Sequence, residues 1–191
     1  MSRRAIIIWF TGMSGAGKST IAQLTSDHLR SNRLKTLIID GDYVRDNLHK
    51  HLSFSREDIL ENNHLVANLC LKNIFDFDVI FIPIISPYAI GRQNARQTIG
   101  ETFYEVYIKA SIDELVRRDT KGLYGKALEG KMDNLIGFSK SHPYEEPQNA
   151  DLTIYTDLDN PANCVNLLIN QIHHWLDKPI VNSADSELTT Q

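Results

Sequence analysis

Apolar and polar positions come in long alternating blocks along this chain. Ala5-Ile6-Ile7-Ile8-Trp9-Phe10 is an unbroken apolar run, the pattern of a strand buried on both faces. Thr36–Asp40, Asp78–Ile85 (with Pro83 near its end), Phe103–Ile108 and Leu152–Tyr155 read as four further strands. Between and after them, apolar spacing predicts helices at about 19–31, 56–75, 90–99, 111–119 and 160–176. This alternation predicts an α/β fold: a doubly wound, mainly parallel five-stranded sheet with helices on both faces. Ligands then gather at the carboxyl ends of the strands. Two segments break the pattern. Residues 120–147 are rich in Lys, Gly and Pro without clean periodicity, which suits a functional, mobile lid. Residues 177–191 are polar and rich in Ser and Thr, and read as a flexible tail. Residues 1–176 are expected to form one domain.

The strand at 5–10 runs into Gly12-Met13-Ser14-Gly15-Ala16-Gly17-Lys18-Ser19, which is G-x-x-x-x-G-K-[ST]. Strand, glycine loop and helix in that order are the context of a phosphate site. Glycines let consecutive amides turn inward as an anion nest, and the helix adds its positive end. Lys18 would reach the β- and γ-phosphates, and the Ser19 hydroxyl would help hold Mg²⁺.

The remaining composition narrows the classes. The 191 residues are 42% hydrophobic and 23% charged, with net charge −4 and no basic stripe. Nucleic acid and membrane are therefore not expected as partners. There is no apolar run of about 18 residues and no leader-like start, so a cytoplasmic protein is expected. Cys70 and Cys164 lack metal or disulfide spacing and read as small buried hydrophobes. His173-His174 are adjacent, so they point to different sides of a helix and read as a surface pair rather than a metal site.

Other chemistry lies where the strands end. Asp40-Gly41-Asp42 puts two carboxylates beside the phosphate loop, where they can orient a hydroxyl, take its proton or hold Mg²⁺ through water. Gly41 would let substrate come close. Ser86-Pro87-Tyr88 follows the third strand and faces the same edge. Arg92 and Arg96 share one helix face, either to bind phosphate or to solvate that face. Arg117-Arg118-Asp119 and Lys121 lead into the lid, where cations suit phosphoryl transfer.

Taken together, these motifs resemble the adenylylsulfate (APS) kinase family. Gly12–Thr20 is similar to its P-loop, Asp40-Gly41-Asp42-Tyr43-Val44-Arg45 to its D-G-D-x-V-R, and Ile85-Ser86-Pro87-Tyr88 to its I-S-P-Y turn. Phe54-Ser55, Glu57-Asp58 and Glu61-Asn62 resemble part of F-S-x-E-D-R-x-E-N. Arg118-Asp119-Thr120-Lys121-Gly122-Leu123-Tyr124 with Lys126-Ala127 looks like its lid, and Pro143-Tyr144-Glu145-Glu146-Pro147 like its P-Y-E-x-P. The resemblance spans residues 5–157. It implies a P-loop kinase fold, often dimeric. It also implies ATP-dependent phosphorylation of the ribose 3′-hydroxyl of adenylylsulfate in sulfate assimilation, with ATP and Mg²⁺ as cofactors.

By position, the resemblance makes Gly12, Ser14, Gly15, Ala16, Gly17, Lys18, Ser19, Thr20 and Arg118 ATP-binding. It makes Asp40 the base, with Lys18 and Lys121 catalytic, and Asp42 a Mg²⁺–water ligand beside Ser19. Arg45, Asn62 and Ile85 become acceptor contacts, Phe54 one wall of an aromatic clamp, and Lys126 a further lid cation. Ser86 becomes a residue that positions the acceptor.

The chain departs from the family on the acceptor side. Ile59 stands where E-D-R has arginine, His64-Leu65 replaces a double arginine, and Ala89 follows Tyr88. Leu135-Ile136-Gly137-Phe138 replaces F-T-G-I, so Leu135 becomes the second clamp wall. Arg56 and Phe138 are candidates to make good the missing cation and ring. A second reading is therefore a kinase for another nucleotide-like acceptor, such as cytidine diphosphoramidate in capsule modification. A third is a nucleotide-binding regulator without turnover, which retention of Lys18, Ser19, Asp40 and the lid lysines opposes.

Overall fold

The apolar run at the start forms β1 (Ile6–Thr11), buried at every residue. Its alternation decides the two faces of the sheet. Ile6, Ile8 and Phe10 enter one core cluster, while Ala5, Ile7 and Trp9 enter a second on the other side. In this computed structural model, residues 3–47, 50–139 and 142–178 are described, apart from the side chains of Asp42 and Asp46.

After β1 come α1 (Lys18–Ser31), β2 (Thr36–Ile38), α2 (Gly41–Asn47) and α3 (Arg56–Asn73). Next are β3 (Val79–Pro83), α4 (Ala89–Ile99), β4 (Phe103–Lys109) and α5 (Ile112–Arg118). The chain continues with α6 (Leu123–Leu128), β5 (Leu152–Tyr155) and α7 (Pro161–Asp177). The five strands lie in the order β2-β3-β1-β4-β5, and every ladder is parallel. Helices α1 and α7 cover one face, where Leu29, Leu168 and Trp175 join the first cluster. Helices α3 and α4 cover the other, where Val66, Cys70 and Ala95 join the second. This is the doubly wound sheet expected from the sequence. The strand order reverses direction at β1, so the loop after β1 lies at the topological switch point.

Local chemistry explains the helix starts. Ser55 caps α3 by accepting the Asp58 amide at 3.1 Å, and Asn160 caps α7 by accepting the Asn163 amide at 2.9 Å, with Pro161 at the first helical position. Cys70 and Cys164 are buried as expected, and burial pushes the Cys70 thiol up to about 12. His173 and His174 are both exposed. Among the described residues no helix is long and apolar enough to cross a membrane.

Two elements were not expected. Helices α2 and α6 have seven and six residues, too short for a 3.6-residue period to register. The expected second and third strands also end early, at Ile38 and Pro83. Of the expected tail, residues 179–191 lie outside the described residues.

Candidate active site

Between β1 and α1 the chain turns through Gly15 (φ +77°) and Gly17 (φ +102°), left-handed conformations that bend amides into a nest. Gly17 is the N-cap of α1, and no side chain caps that helix end. Its first-turn amides are thus left for an anion. Lys18 is buried at the loop's centre, its Nζ donating to the carbonyls of Gly12 (2.8 Å) and Met13 (2.9 Å).

Asp40 follows β2 and caps α2. Its Oδ1 accepts the Tyr43 amide at 3.2 Å, and its carbonyl accepts the Val44 amide at 2.9 Å. The other carboxylate oxygen accepts from the Ser19 hydroxyl at 3.3 Å. Base candidate and metal candidate are therefore neighbours. A hydroxyl and a carboxylate oxygen together are the donor type Mg²⁺ takes, and in kinase sites it needs only one or two protein oxygens beside phosphates and water. The residues fit that ion. The side chain of Asp42 lies outside the described residues. Among the described residues no cluster of three or more His, Cys, Asp or Glu could hold a metal.

The loop opens onto a cavity of about 530 Å³. Ser14, Gly15, Gly17, Lys18, Ser19 and Thr20 form one wall, Arg45, Phe54, Pro83 and Ile85 another, and Lys121, Met132, Asn134 and Leu135 the lid side. Phosphate loop, α2–α3 connection and lid thus meet in one space. The Arg45 guanidinium lies 4.7 Å from the Phe54 ring centroid and donates to the Ser53 carbonyl at 2.5 Å. Phe54 is half exposed, so its ring is available for stacking as well as for this cation.

Several expected contacts sit outside the cavity. Ser86 is buried behind it in a left-handed conformation (φ +44°). Its hydroxyl accepts from Asn63 Nδ2 at 2.8 Å, and its carbonyl from Arg92 at 2.9 Å. Ser86 therefore shapes the turn after β3 and is not part of the cavity wall. Asn62 is likewise buried on α3. Arg118 lies behind the loop, donating to the Thr156 carbonyl at 2.6 Å and pairing with Glu114 at 2.8 Å. Lys126 is exposed on α6 and is not part of the cavity wall.

Other expectations are corrected outright. Gly41 makes room for its own fold, since a Cβ there would meet Ile84 Cγ1 at 2.8 Å. Arg92 neither binds phosphate nor solvates a face. It is buried, pairs with Glu105 at 2.7 Å and donates to the Glu145 carbonyl at 2.8 Å. Arg96 pairs with Asp151 at 2.6 Å. Phe138 packs edge-on against Tyr124 at 5.5 Å and is not part of the cavity wall. Arg56 lies over the Tyr88 ring at 5.0 Å and is not part of the cavity wall. Ile59 packs with Tyr88 and Ile136 in a small buried cluster.

Four further residues brace the site, and sequence reading gave none of them a role. The Tyr124 hydroxyl donates to the Ser14 carbonyl at 2.8 Å, the Thr156 hydroxyl donates to the Ala16 carbonyl at 2.8 Å, and the Tyr144 and Thr11 hydroxyls lie 2.8 Å apart. Only the lid and P-Y-E-E-P motifs pointed to the two tyrosines, and nothing local singled out Thr156.

A doubly wound parallel sheet with a nucleotide-type P-loop at its switch point and a covering lid defines a P-loop small-molecule kinase. The family model described as adenylylsulphate kinase matches residues 4–155. The adenylyl-sulfate kinase of Halothermothrix orenii is 41% identical over 175 residues, covering 90% of this chain and 91% of that one. The one from Picosynechococcus is 38% identical over 175 residues, covering 90% and 96%. The APS kinase CysC of Mycobacterium tuberculosis, solved in complex with AMPPNP and APS, superposes with a TM-score of 0.82 at 30% identity, over 90% of this chain and 99% of that one. The chain belongs to the adenylylsulfate kinase family and is an ATP-dependent kinase.

Proposed function

We propose that this kinase transfers the γ-phosphoryl group of ATP to the ribose 3′-hydroxyl of adenylylsulfate, giving 3′-phosphoadenylylsulfate. One observation carries the reading: the P-loop, Arg45 with Phe54, and the lid residues Lys121 and Leu135 line a single cavity. The loop amides and Lys18 grip the triphosphate. Phe54 and Leu135 hold the acceptor base, and Arg45 faces its anionic part. Asp40 takes the proton from the acceptor hydroxyl. Mg²⁺, held through the Ser19 hydroxyl, with Asp42 the water-mediated ligand that the family resemblance implies, would neutralise charge on the phosphates when bound. Lys121 adds positive charge as the lid covers the site, and the same covering excludes water.

A second reading starts from the departures on the acceptor side. Ile59, where the resembled motif carries arginine, is packed against Tyr88 and Ile136, and Leu135 stands at the second clamp position. A kinase for a smaller base or a less anionic tail, as in cytidine diphosphoramidate, is that second reading, although Ile59 does not line the cavity and the family match favours adenylylsulfate.

A coupled ADP-release assay with both acceptors separates the readings. Adenylylsulfate is expected to give the higher kcat/KM. Turnover of cytidine diphosphoramidate with negligible turnover of adenylylsulfate would reverse the assignment. In the same assay Asp40→Ala is expected to lower kcat by ~10²–10⁴, the range of lost acid–base catalysis. Full activity in that variant would remove Asp40 from the role of base.

A further inference from the structure

A trans peptide unit points its carbonyl and its N–H in opposite directions. A group that holds one carbonyl outward therefore aims the next residue's amide inward. Two P-loop carbonyls are held in this way, each by a hydroxyl from a distant part of the chain. Tyr124 Oη donates to the Ser14 carbonyl across 110 positions, and Thr156 Oγ1 donates to the Ala16 carbonyl across 140. The amides that follow belong to Gly15 and Gly17, which line the cavity and adopt left-handed conformations. No cis peptide occurs among the described residues.

We infer that the hydroxyls of Tyr124 and Thr156 are positioning groups that aim the Gly15 and Gly17 amides at the nucleotide phosphates. The inference rests on the reading of the P-loop as the ATP phosphate site.

Each hydroxyl is itself held. Thr156 accepts from Arg118 Nη1 at 3.2 Å, while Arg118 also donates to the Thr156 carbonyl and pairs with Glu114. Arg118 thus acts on the loop through Thr156. Tyr124 sits in the first turn of α6, whose start is tied by Asp119, the carboxylate accepting the Tyr124 and Gly125 amides at 2.9 Å each. The tyrosine is buried, its ring in ordinary contact with the space beside Gly15. Burial raises its phenol to about 12, so it remains a donor at neutral pH. Because α6 is part of the lid segment, the contact that aims the Gly15 amide ties the loop to the lid, while Thr156 aims the Gly17 amide from beyond β5. An unheld peptide can rotate, and a rotated one presents a carbonyl to the phosphate.

The test uses variants that remove a hydroxyl and little else. Thr156→Val and Tyr124→Phe, made in the full chain, are each expected to weaken Mg·ADP binding in calorimetry by about three- to tenfold, the worth of one net hydrogen bond. The KM for ATP should rise with them while the acceptor KM stays near wild type, and the Tm should fall by no more than about a few degrees. Thr156→Ser, which keeps the donor, should bind within about twofold of wild type. Wild-type affinity in Thr156→Val and Tyr124→Phe, or Thr156→Ser as weak as Thr156→Val, would overturn the inference. If Thr156→Val fails to fold, Tyr124→Phe on its separate element decides the matter. Absence of Mg·ADP binding by the wild-type chain would overturn the phosphate-site reading and this inference with it.

Discussion

Phe54 and Leu135 line one cavity, and in the proposed clamp one side chain sets the quality of the grip. The Phe54 ring carries the Arg45 guanidinium at 4.7 Å, a contact that holds the ring beside the cavity. Leu135 is buried and lines the same cavity. An aliphatic wall contributes area to a nucleobase but none of the stacking electrostatics of an aromatic ring, which add about 0.5–1.5 kcal/mol beyond burial. Leu135→Phe is therefore expected to lower the KM for adenylylsulfate by about two- to tenfold and leave the KM for ATP unchanged. Steady-state kinetics with each substrate varied in turn is the measurement. An unchanged acceptor KM would mean that Leu135 does not touch the base. Ile59 is a poorer place to restore the family pattern. Its side chain is 2% exposed, so an arginine there would have to displace Tyr88 and Ile136 or bury its charge unpaired.

At the scale of elements, α5 is a bracket for the phosphate loop. Glu114 holds Arg117 at 2.6 Å and Arg118 at 2.8 Å, and Arg118 holds Thr156. The two guanidinium groups lower the Glu114 carboxyl from the usual 4.5 to about 2. A carboxyl lowered on folding contributes stability above its unfolded pKa, and that contribution fades as pH falls through the folded one. The Tm gap between wild type and Glu114→Gln should thus be constant from pH 8 to about 5 and close between about 4.5 and 2. A gap that widened on acidification would contradict the pairing. The long elements of this fold were readable from sequence because their periods repeat: β1 by its unbroken apolar run, α3 and α7 by several turns of spacing. Helices α2 and α6 were not, because stability in so short a helix comes from caps and docking. Asp40 and Asp119 supply those caps, and each was noticed in the sequence for its charge rather than for its bonds. The site divided similarly. The motif residues Lys18, Ser19, Arg45, Phe54 and Lys121 come together in the cavity, whereas Ser86 and Arg118 turn away from it to hold other residues. No local pattern tells an arginine that touches a ligand from one that ties a loop.

Across the whole molecule, Arg92 joins three separate parts of the chain. One guanidinium, 4% exposed, pairs with Glu105 on β4 at 2.7 Å. It also donates to the Ser86 carbonyl after β3 at 2.9 Å and to the Glu145 carbonyl at the return of the lid segment at 2.8 Å. Glu145 in turn accepts the Ala89 amide at 2.7 Å through its carboxylate. The interior strand β4, the turn beside the cavity and the end of the lid therefore share one cation. Removing one partner of a buried pair leaves the other uncompensated, at a cost of about 3–5 kcal/mol, whereas replacing both with apolar groups is often near neutral. Arg92→Ala is expected to lose that amount in urea unfolding, and Arg92→Met with Glu105→Leu to recover most of the Glu105 share but not the two carbonyl bonds. The pH dependence has a definite sign. Burial raises the Glu105 carboxyl above its usual range, and Arg92 foremost, then Arg96, pulls it back. Without Arg92 the protonated form is favoured further, so the deficit of Arg92→Ala should shrink as pH falls from 7.5 towards 5. A deficit below about 1 kcal/mol, or a double variant no more stable than the single, would show that the pair is incidental and that the lid return is held by its backbone bonds and Tyr144 alone.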